Sequence, residues 1–269
     1  MNDIRQTFDS SFKINDAIID AESISSMGSF LVSKMYEVFN TWGFVIIHPT
    51  SVQNFTNELS SIQEYFGRII KHNRSGNDGI SLISPMEGYP NYFGTTNEAT
   101  GLHTDGSASP RPPQIVILQC EIPSKKGGDS QLLSCKALYD YLSNFHSEQL
   151  HTLFDPEAFT IIRDKETYTR PVFYFYDDRV FTVFRANGIA DVKISSKASK
   201  AFELAIEFTH DIKNILQFKL RKNQVLIIDN TAVMHGRTRF PLNSLRKLNR
   251  VYLDGQIKRP EILYFGIEP

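Results

Sequence analysis

Apolar residues in this chain recur at two different periods. Between residues 25 and 42, Met27, Phe30, Leu31, Met35, Val38 and Phe39 fall three or four positions apart, which predicts a helix closed by Gly43. The run 44–47, bounded by Gly43 and Pro49, predicts a short buried strand. Phe55, Leu59, Ile62, Tyr65 and Phe66 return to the helical spacing. Ahead of these, residues 1–24 are polar with scattered apolar positions, an arm or a first short strand. Residues 72–101 then change character: Gly76, Gly79, Gly88, Gly94, Gly101, Pro85 and Pro90 interrupt any period, which predicts loop. A loop of this length in a compact chain usually has a function, and this one is placed to serve as a lid.

From Gln114 onward the pattern is short apolar runs broken by turn residues. Residues 115–120, 130–134, 158–162, 172–176, 180–184, 225–228, 233–239 and 249–253 read as strands. Lys125-Lys126-Gly127-Gly128-Asp129 is a turn, and Asp177-Asp178 sits between two aromatic runs as a hairpin. Helical spacing reappears over 136–153 and over 196–216. In the second, Ala201, Leu204, Ala205, Phe208, Ile212 and Ile215 share a face, and Ser195 or Ser196 is placed to cap it. The fold class this predicts is mainly β with helices (α+β): a double-stranded β-helix, or jelly roll, with flanking α-helices. No internal repeat or linker divides residues 1–269. The expected organisation is one unit, with a helical lead-in over 1–71, a lid over 72–101 and a jelly-roll core over 102–269.

Composition narrows the function. The chain has 269 residues, is 41% hydrophobic and carries a formal charge of −1, with acids and bases mixed along it. That balance offers no basic stripe for nucleic acid and no charged face for a membrane. No apolar run approaches the roughly 20 residues of a membrane helix, and the polar residues 1–11 show no leader. Cys120 and Cys135 form neither a disulfide framework nor a zinc-finger spacing, and both sit in apolar surroundings. A cytoplasmic protein acting on a small molecule is the expectation; oligomeric state is not legible.

The chemistry is concentrated in Leu102-His103-Thr104-Asp105-Gly106. In extended chain, residues two apart point to the same side, so His103 and Asp105 present an imidazole and a carboxylate together. A second imidazole is available from Val233-Met234-His235-Gly236-Arg237. Two histidines and one carboxylate on one face leave coordination positions open opposite, the pattern of non-heme Fe(II) oxygenases. Singly each histidine is more often a hydrogen-bonded structural residue; the weight lies in the combination.

Taken with "KKGGDSQLLS", "LIIDNTAVMHGRTRF" and "RKLNRVYLDG", the segment "LHTDG" resembles the Fe(II)/2-oxoglutarate dioxygenases of the taurine dioxygenase and clavaminate synthase-like superfamily, over about residues 100–255. The resemblance implies that His103, Asp105 and His235 bind Fe(II). It implies that Arg246, with the Ser130 hydroxyl where the family commonly has Thr, binds the distal carboxylate of 2-oxoglutarate. A planar guanidinium suits that task. Arg250 matches a second arginine that meets either a substrate anion or the other carboxylate of the cosubstrate, and Arg237 could also face the barrel mouth. Asn223-Gln224 replaces the family's common Gly-Asp turn, and Asn tolerates the same backbone.

The implied reaction uses Fe(II), 2-oxoglutarate and O2, and releases succinate and CO2. Halogenating members lack the carboxylate that Asp105 supplies, so hydroxylation or desaturation is expected. Candidate substrate residues are Tyr89, Asn91, Tyr92, Thr100, Arg170, Arg185 and Arg250. An arginine facing the pocket would favour a small carboxylate-bearing substrate such as an amino acid or a specialised-metabolite intermediate. The competing reading is a catalytically silent sensor or interaction protein that binds metal and 2-oxoglutarate; an intact Arg246 weighs against it.

Overall fold

The computed structural model describes residues 4–51, 55–86, 92–163, 166–186, 190–259 and 262–269, without the side chain of Asn57. Its larger sheet consists of β1 (Ile18–Ala21), β2 (Phe44–Pro49), β3 (Ser81–Ile83), β5 (Ile115–Ile122), β13 (Val225–Asp229) and β15 (Lys247–Leu253), ordered β1-β2-β13-β5-β15-β3. A second sheet, ordered β12-β6-β14-β4, is built from β4 (Thr100–His103), β6 (Ser130–Ser134), β12 (Leu216–Phe218) and β14 (Val233–Arg237). All neighbours in both sheets are antiparallel except β1 and β2. β7 (Phe159–Arg163), β8 (Glu166–Arg170) and β11 (Asp191–Ile194) form a small third sheet, and β9 (Phe173–Tyr176) pairs with β10 (Arg179–Thr182) as a hairpin. This is the jelly-roll core with flanking helices. The lead-in is part of it: β1 and β2 extend the larger sheet.

Residue alternation along β6 and β14 separates two cores. Leu132 packs with the larger sheet and with helices α1 (Ser29–Trp42) and α2 (Phe55–Phe66), whereas Leu133 and Met234 pack on the opposite face. There they meet helices α3 (Cys135–Phe145), α4 (Ser147–Thr152) and α5 (Ser199–His210). The inward face of the second sheet carries Leu132, Leu216 and Val233 into the core with the larger sheet, and beside them the polar side chains described below.

Several elements differ from the periodic reading. The expected helix 136–153 is broken at His146, whose backbone leaves the helical region (φ −146°, ψ 46°). The helix expected to reach 216 ends at His210. Asp211 is extended and its carboxylate accepts from Lys213 N, so Ile212 is 59% exposed and Leu216 begins β12. The N-cap of α5 is Ala198, with no side-chain bond; the Ser195 hydroxyl accepts from Ala198 N (3.3 Å) and so caps the turn that leads into the helix. α1 begins at Ser29, leaving Phe30 78% exposed. The stretch 72–101 is not all loop: three-residue β3 joins the edge of the larger sheet, and β4 closes the stretch.

The polar arm at the start of the chain is anchored by Arg5, which the sequence pattern does not distinguish. Its Nη2 donates to Asp229 Oδ2 (2.5 Å) and Tyr264 O (2.7 Å), its Nη1 to Phe39 O and Asn40 O, and its Nε to Gly266 O. Asp229 also accepts from the Thr231 backbone and hydroxyl and from Gly266 N. Both members of the pair are fully buried. Breaking such a pair from one side strands a buried charge. Arg5→Met is expected to lower unfolding free energy by about 3–5 kcal/mol in urea titrations. Adding Asp229→Asn should recover part of that loss.

Candidate active site

Strand register builds the site. In the second sheet His235 lies opposite both His103 and Leu132, and Arg237 lies opposite both Thr100 and Ser130. Directly opposed residues share a face, so His103, His235, Thr100, Ser130 and Arg237 form one inward row. On the larger sheet Arg250 lies opposite Leu118, and Leu248 and Tyr252 flank it at the strand repeat of two. These residues from both sheets line a cavity of about 350 Å³, within the size range of small-molecule sites.

Asp105 lies just beyond β4. Its carboxylate oxygens are 3.6 Å from His103 Nε2 and 3.4 Å from His235 Nε2. The three ligand atoms all fall within 4.8 Å of one another, and all three residues are buried. His103 Nδ1 donates to Gly101 O (2.8 Å), which leaves the Nε2 lone pair facing the cavity. His235 Nδ1 is buried without a hydrogen-bond partner. Two neutral imidazoles and one carboxylate, with open cavity beside them, fit a divalent iron.

The electrostatics favour a neutral His103 and an ionised Asp105. Burial, and then the Arg185 guanidinium, push the His103 pKa down to about 4. Burial opposes ionisation of Asp105, but the Arg250 guanidinium beside it favours the charge, and the carboxyl is held well below the usual carboxylate range. Arg250 Nη1 lies 3.2 and 3.4 Å from the two Asp105 oxygens, and Nη2 donates to the Tyr92 hydroxyl (2.5 Å). His72, edge-on to the Tyr252 ring, is also pushed down to about 4, by burial and by Arg250.

A histidine with a depressed folded pKa takes up its proton first in the unfolded chain, whose value is about 6.5. Between about pH 6.5 and pH 4 the unfolded state therefore binds more protons, and stability falls as pH falls. The melting temperature of the metal-free protein should drop through that window, and His72→Phe should make the slope shallower.

Arg246 also lines the cavity. It is 4% exposed, its Nε donates to Gly128 O (3.2 Å), and its Nη1 is buried with no hydrogen-bond partner among the described residues. Burial pushes its pKa down to about 10. Gly128 makes the approach possible. A Cβ there would come within 2.8 Å of Arg246 Cδ, and its φ of +66° also disfavours a side chain. Ser130 lines the same cavity. Arg237 also lines it, but its Nη2 donates to Phe93 O, Thr96 O and Glu98 O, so it clamps the segment 93–98.

Of the candidate substrate residues, Tyr92, Thr100, Arg185 and Arg250 line the cavity. Arg185 is bridged to His103 through the backbone, is 5% exposed, and donates from Nε to Ser107 Oγ (2.6 Å). Arg170 does not line the cavity. Its Nη2 donates to Ser109 O (2.6 Å), which braces the rim from behind. Tyr89 and Asn91 lie outside the described residues, as does the 87–91 part of the expected lid. The sequence reading did not single out His72, Arg74, Arg163, Glu166 and Tyr252, which also line the cavity. Tyr252 could have been found from the strand repeat with Arg250. Among the described residues, no helix is long and apolar enough to cross a membrane.

A jelly roll with this two-histidine, one-carboxylate set defines a class of oxygenases. The sequence matches the taurine catabolism dioxygenase TauD, TfdA family over residues 7–252, and the chain belongs to that family. It is thus an oxidoreductase of the dioxygenase type.

Similar solved structures include asparagine oxygenase in complex with Fe(II), 2S,3S-3-hydroxyasparagine and succinate. It aligns with a TM-score of 0.67 at 12% identity, over 89% of this chain and 94% of that one. The non-heme iron oxygenase OrfP in complex with Fe and alpha-ketoglutaric acid aligns with a TM-score of 0.68 at 15% identity, over 88% and 83%. OrfP with Fe, succinate and (3S)-hydroxy-L-Arg gives 0.66 at 14%, over 88% and 84%. At these identities the likeness is one of fold. No curated protein sequence matches this chain.

Proposed function

We propose that the chain hydroxylates a small amino acid or amino-acid-derived molecule, with Fe(II), 2-oxoglutarate and O2 as cofactor and cosubstrates. The observation that carries this reading is Arg246, a buried guanidinium with one terminal nitrogen unpartnered, in the same cavity as the triad. A charge so placed needs an anion, and a cosubstrate carboxylate supplies one.

His103, Asp105 and His235 would hold the iron. Bound there, it would supply the coupled activation of O2 and decarboxylation of 2-oxoglutarate to succinate and CO2. Arg246 and the Ser130 hydroxyl take the distal carboxylate, and burial strengthens their bonds to it. Arg250, beside Asp105 and the Tyr92 hydroxyl, would take a second anionic group. Arg185, anchored through Ser107, faces the same space and favours a substrate carboxylate; Glu166 at the mouth suits an ammonium group. The hydroxy-amino-acid ligands of asparagine oxygenase and OrfP support this substrate class. His72, Arg74, Tyr92 and Phe93, which line the cavity, serve to exclude water from it. Cys120 and Cys135 are free and buried, in keeping with a reducing, cytoplasmic setting.

The test is succinate release with Fe(II), ascorbate and 2-oxoglutarate against a panel of amino acids and their derivatives. One or more should raise succinate formation and gain one oxygen in mass. Metal and 2-oxoglutarate binding with no stimulation by any amino compound would overturn the substrate assignment.

A further inference from the structure

We propose that Asn230 is a positioning residue that sets the carboxylate ligand Asp105 in place. The inference rests on the metal reading of His103, Asp105 and His235. It concerns a residue that touches neither the cavity nor any ligand atom.

The need arises where β4 ends. Thr104 N still donates to Phe184 O, but Asp105 has left the sheet, and its peptide groups have lost their ladder partners. Buried peptide groups must be paired. Asn230 pairs both: its Oδ1 accepts from Asp105 N (2.7 Å), and its Nδ2 donates to Asp105 O (3.0 Å). The second proton on Nδ2 goes to Pro113 O (2.8 Å). The side chain is 1% exposed. One planar amide thus clamps the peptide groups of Asp105 and ties them to the chain beyond it.

Only an amide of this length serves. An aspartate would keep the acceptor but turn a carboxylate oxygen toward two carbonyls. An alanine would leave the Asp105 N–H, the Asp105 carbonyl and the Pro113 carbonyl without these partners. The clamp is itself held firmly. Asn230 N donates to Gln114 O, and the residue lies in the short connection from β13 to β14, the strand that carries His235. The next residue back, Asp229, is fixed by Arg5. Gly106 adds a steric limit on the other side of Asp105: a Cβ there would meet Pro113 Cδ at 2.5 Å. Two ligands from distant parts of the chain, Asp105 and His235, are therefore referenced to one connection. Residues that orient a ligand typically govern metal affinity by about 10- to 100-fold.

The experiment is titration of the metal-free protein with Co(II) alone, followed by d–d absorption, for the parent, Asn230→Ala, Asn230→Asp and a remote control. The control is Asn214→Ala, which removes an amide bonded to Phe208 O beyond the end of α5. Folding is judged in parallel from far-ultraviolet circular dichroism and the metal-free melting temperature. The expected result is a Kd for Co(II) raised about 10- to 100-fold in each folded Asn230 variant, with an altered d–d spectrum. Asn214→Ala should stay within about twofold of the parent, although its melting temperature falls. If Asn230→Ala does not fold, Asn230→Asp carries the test.

A folded Asn230 variant that binds Co(II) within about twofold of the parent, with the parent's spectrum, would overturn the proposal. So would an equal loss of affinity in Asn214→Ala, or failure of both Asn230 variants to fold, which would make Asn230 a determinant of the fold alone. A parent that binds no Co(II) would instead overturn the metal reading on which the proposal rests.

Discussion

Asp105→Ala is expected to abolish 2-oxoglutarate turnover and to weaken metal binding by more than about 100-fold, the upper end of what an outer partner costs. The metal would lose its only anionic ligand, leaving two neutral imidazoles. A second consequence separates this variant from His103→Ala. Arg250 Nη1 sits 3.2 Å from the Asp105 carboxylate, and both side chains are buried. Removing the carboxylate leaves the guanidinium with only the Tyr92 hydroxyl and ring contacts. A pair broken from one side costs about 3–5 kcal/mol, so metal-free Asp105→Ala should melt well below metal-free His103→Ala. Retained Fe(II)-dependent turnover in either variant would sink the triad assignment.

Arg246→Ala is expected to raise the KM for 2-oxoglutarate by more than about thirtyfold, the lower end of the 2–5 kcal/mol seen when a buried charge pair is cut from one side. Arg246→Lys should recover only part, because an ammonium cannot present two parallel N–H groups to a carboxylate. Arg250→Ala should change the 2-oxoglutarate KM less and the amino-acid KM more. The two arginines differ in their surroundings. Arg246 keeps a buried Nη1 with no hydrogen-bond partner among the described residues, whereas both Arg250 terminal nitrogens are engaged by Asp105 and Tyr92. Initial-rate kinetics with each substrate varied in turn would decide it, and the reverse ranking would mean that their roles are exchanged.

What could be read from the sequence was what local chemistry dictates. Residues 130–134 follow the turn 125–129 and carry the apolar pair Leu132-Leu133, and β6 has those limits. Asp177 and Asp178, placed in a hairpin, both have positive φ (46° and 60°), and Asn223 does as well (69°). His103, Asp105, His235, Ser130, Arg246 and Arg250 share one cavity, as the motif order implies, and strand alternation points His103, His235, Ser130 and Arg250 inward. Contacts between distant parts of the chain could not be read. Arg5 looks like one charge in a polar arm, yet its partners lie at Asp229, Tyr264 and Gly266. Asn230 looks like a turn residue, yet it holds Asp105. Arg170 and Arg185 look alike as strand-end charges. Only the bridge from Arg185 to His103 separates a cavity residue from a rim brace. Helical spacing also carried past a real boundary at His210, because Ile212 and Ile215 keep the period while Asp211 turns the chain.

The most direct test of the central claim is the fate of oxygen. Metal-free protein reconstituted with Fe(II) and 2-oxoglutarate should convert 18O2 into succinate carrying one labelled atom. That conversion should be lost when Fe(II) is withheld. Succinate without label, or label incorporation that does not need Fe(II), would contradict the assignment of His103, Asp105 and His235 as the oxygen-activating centre.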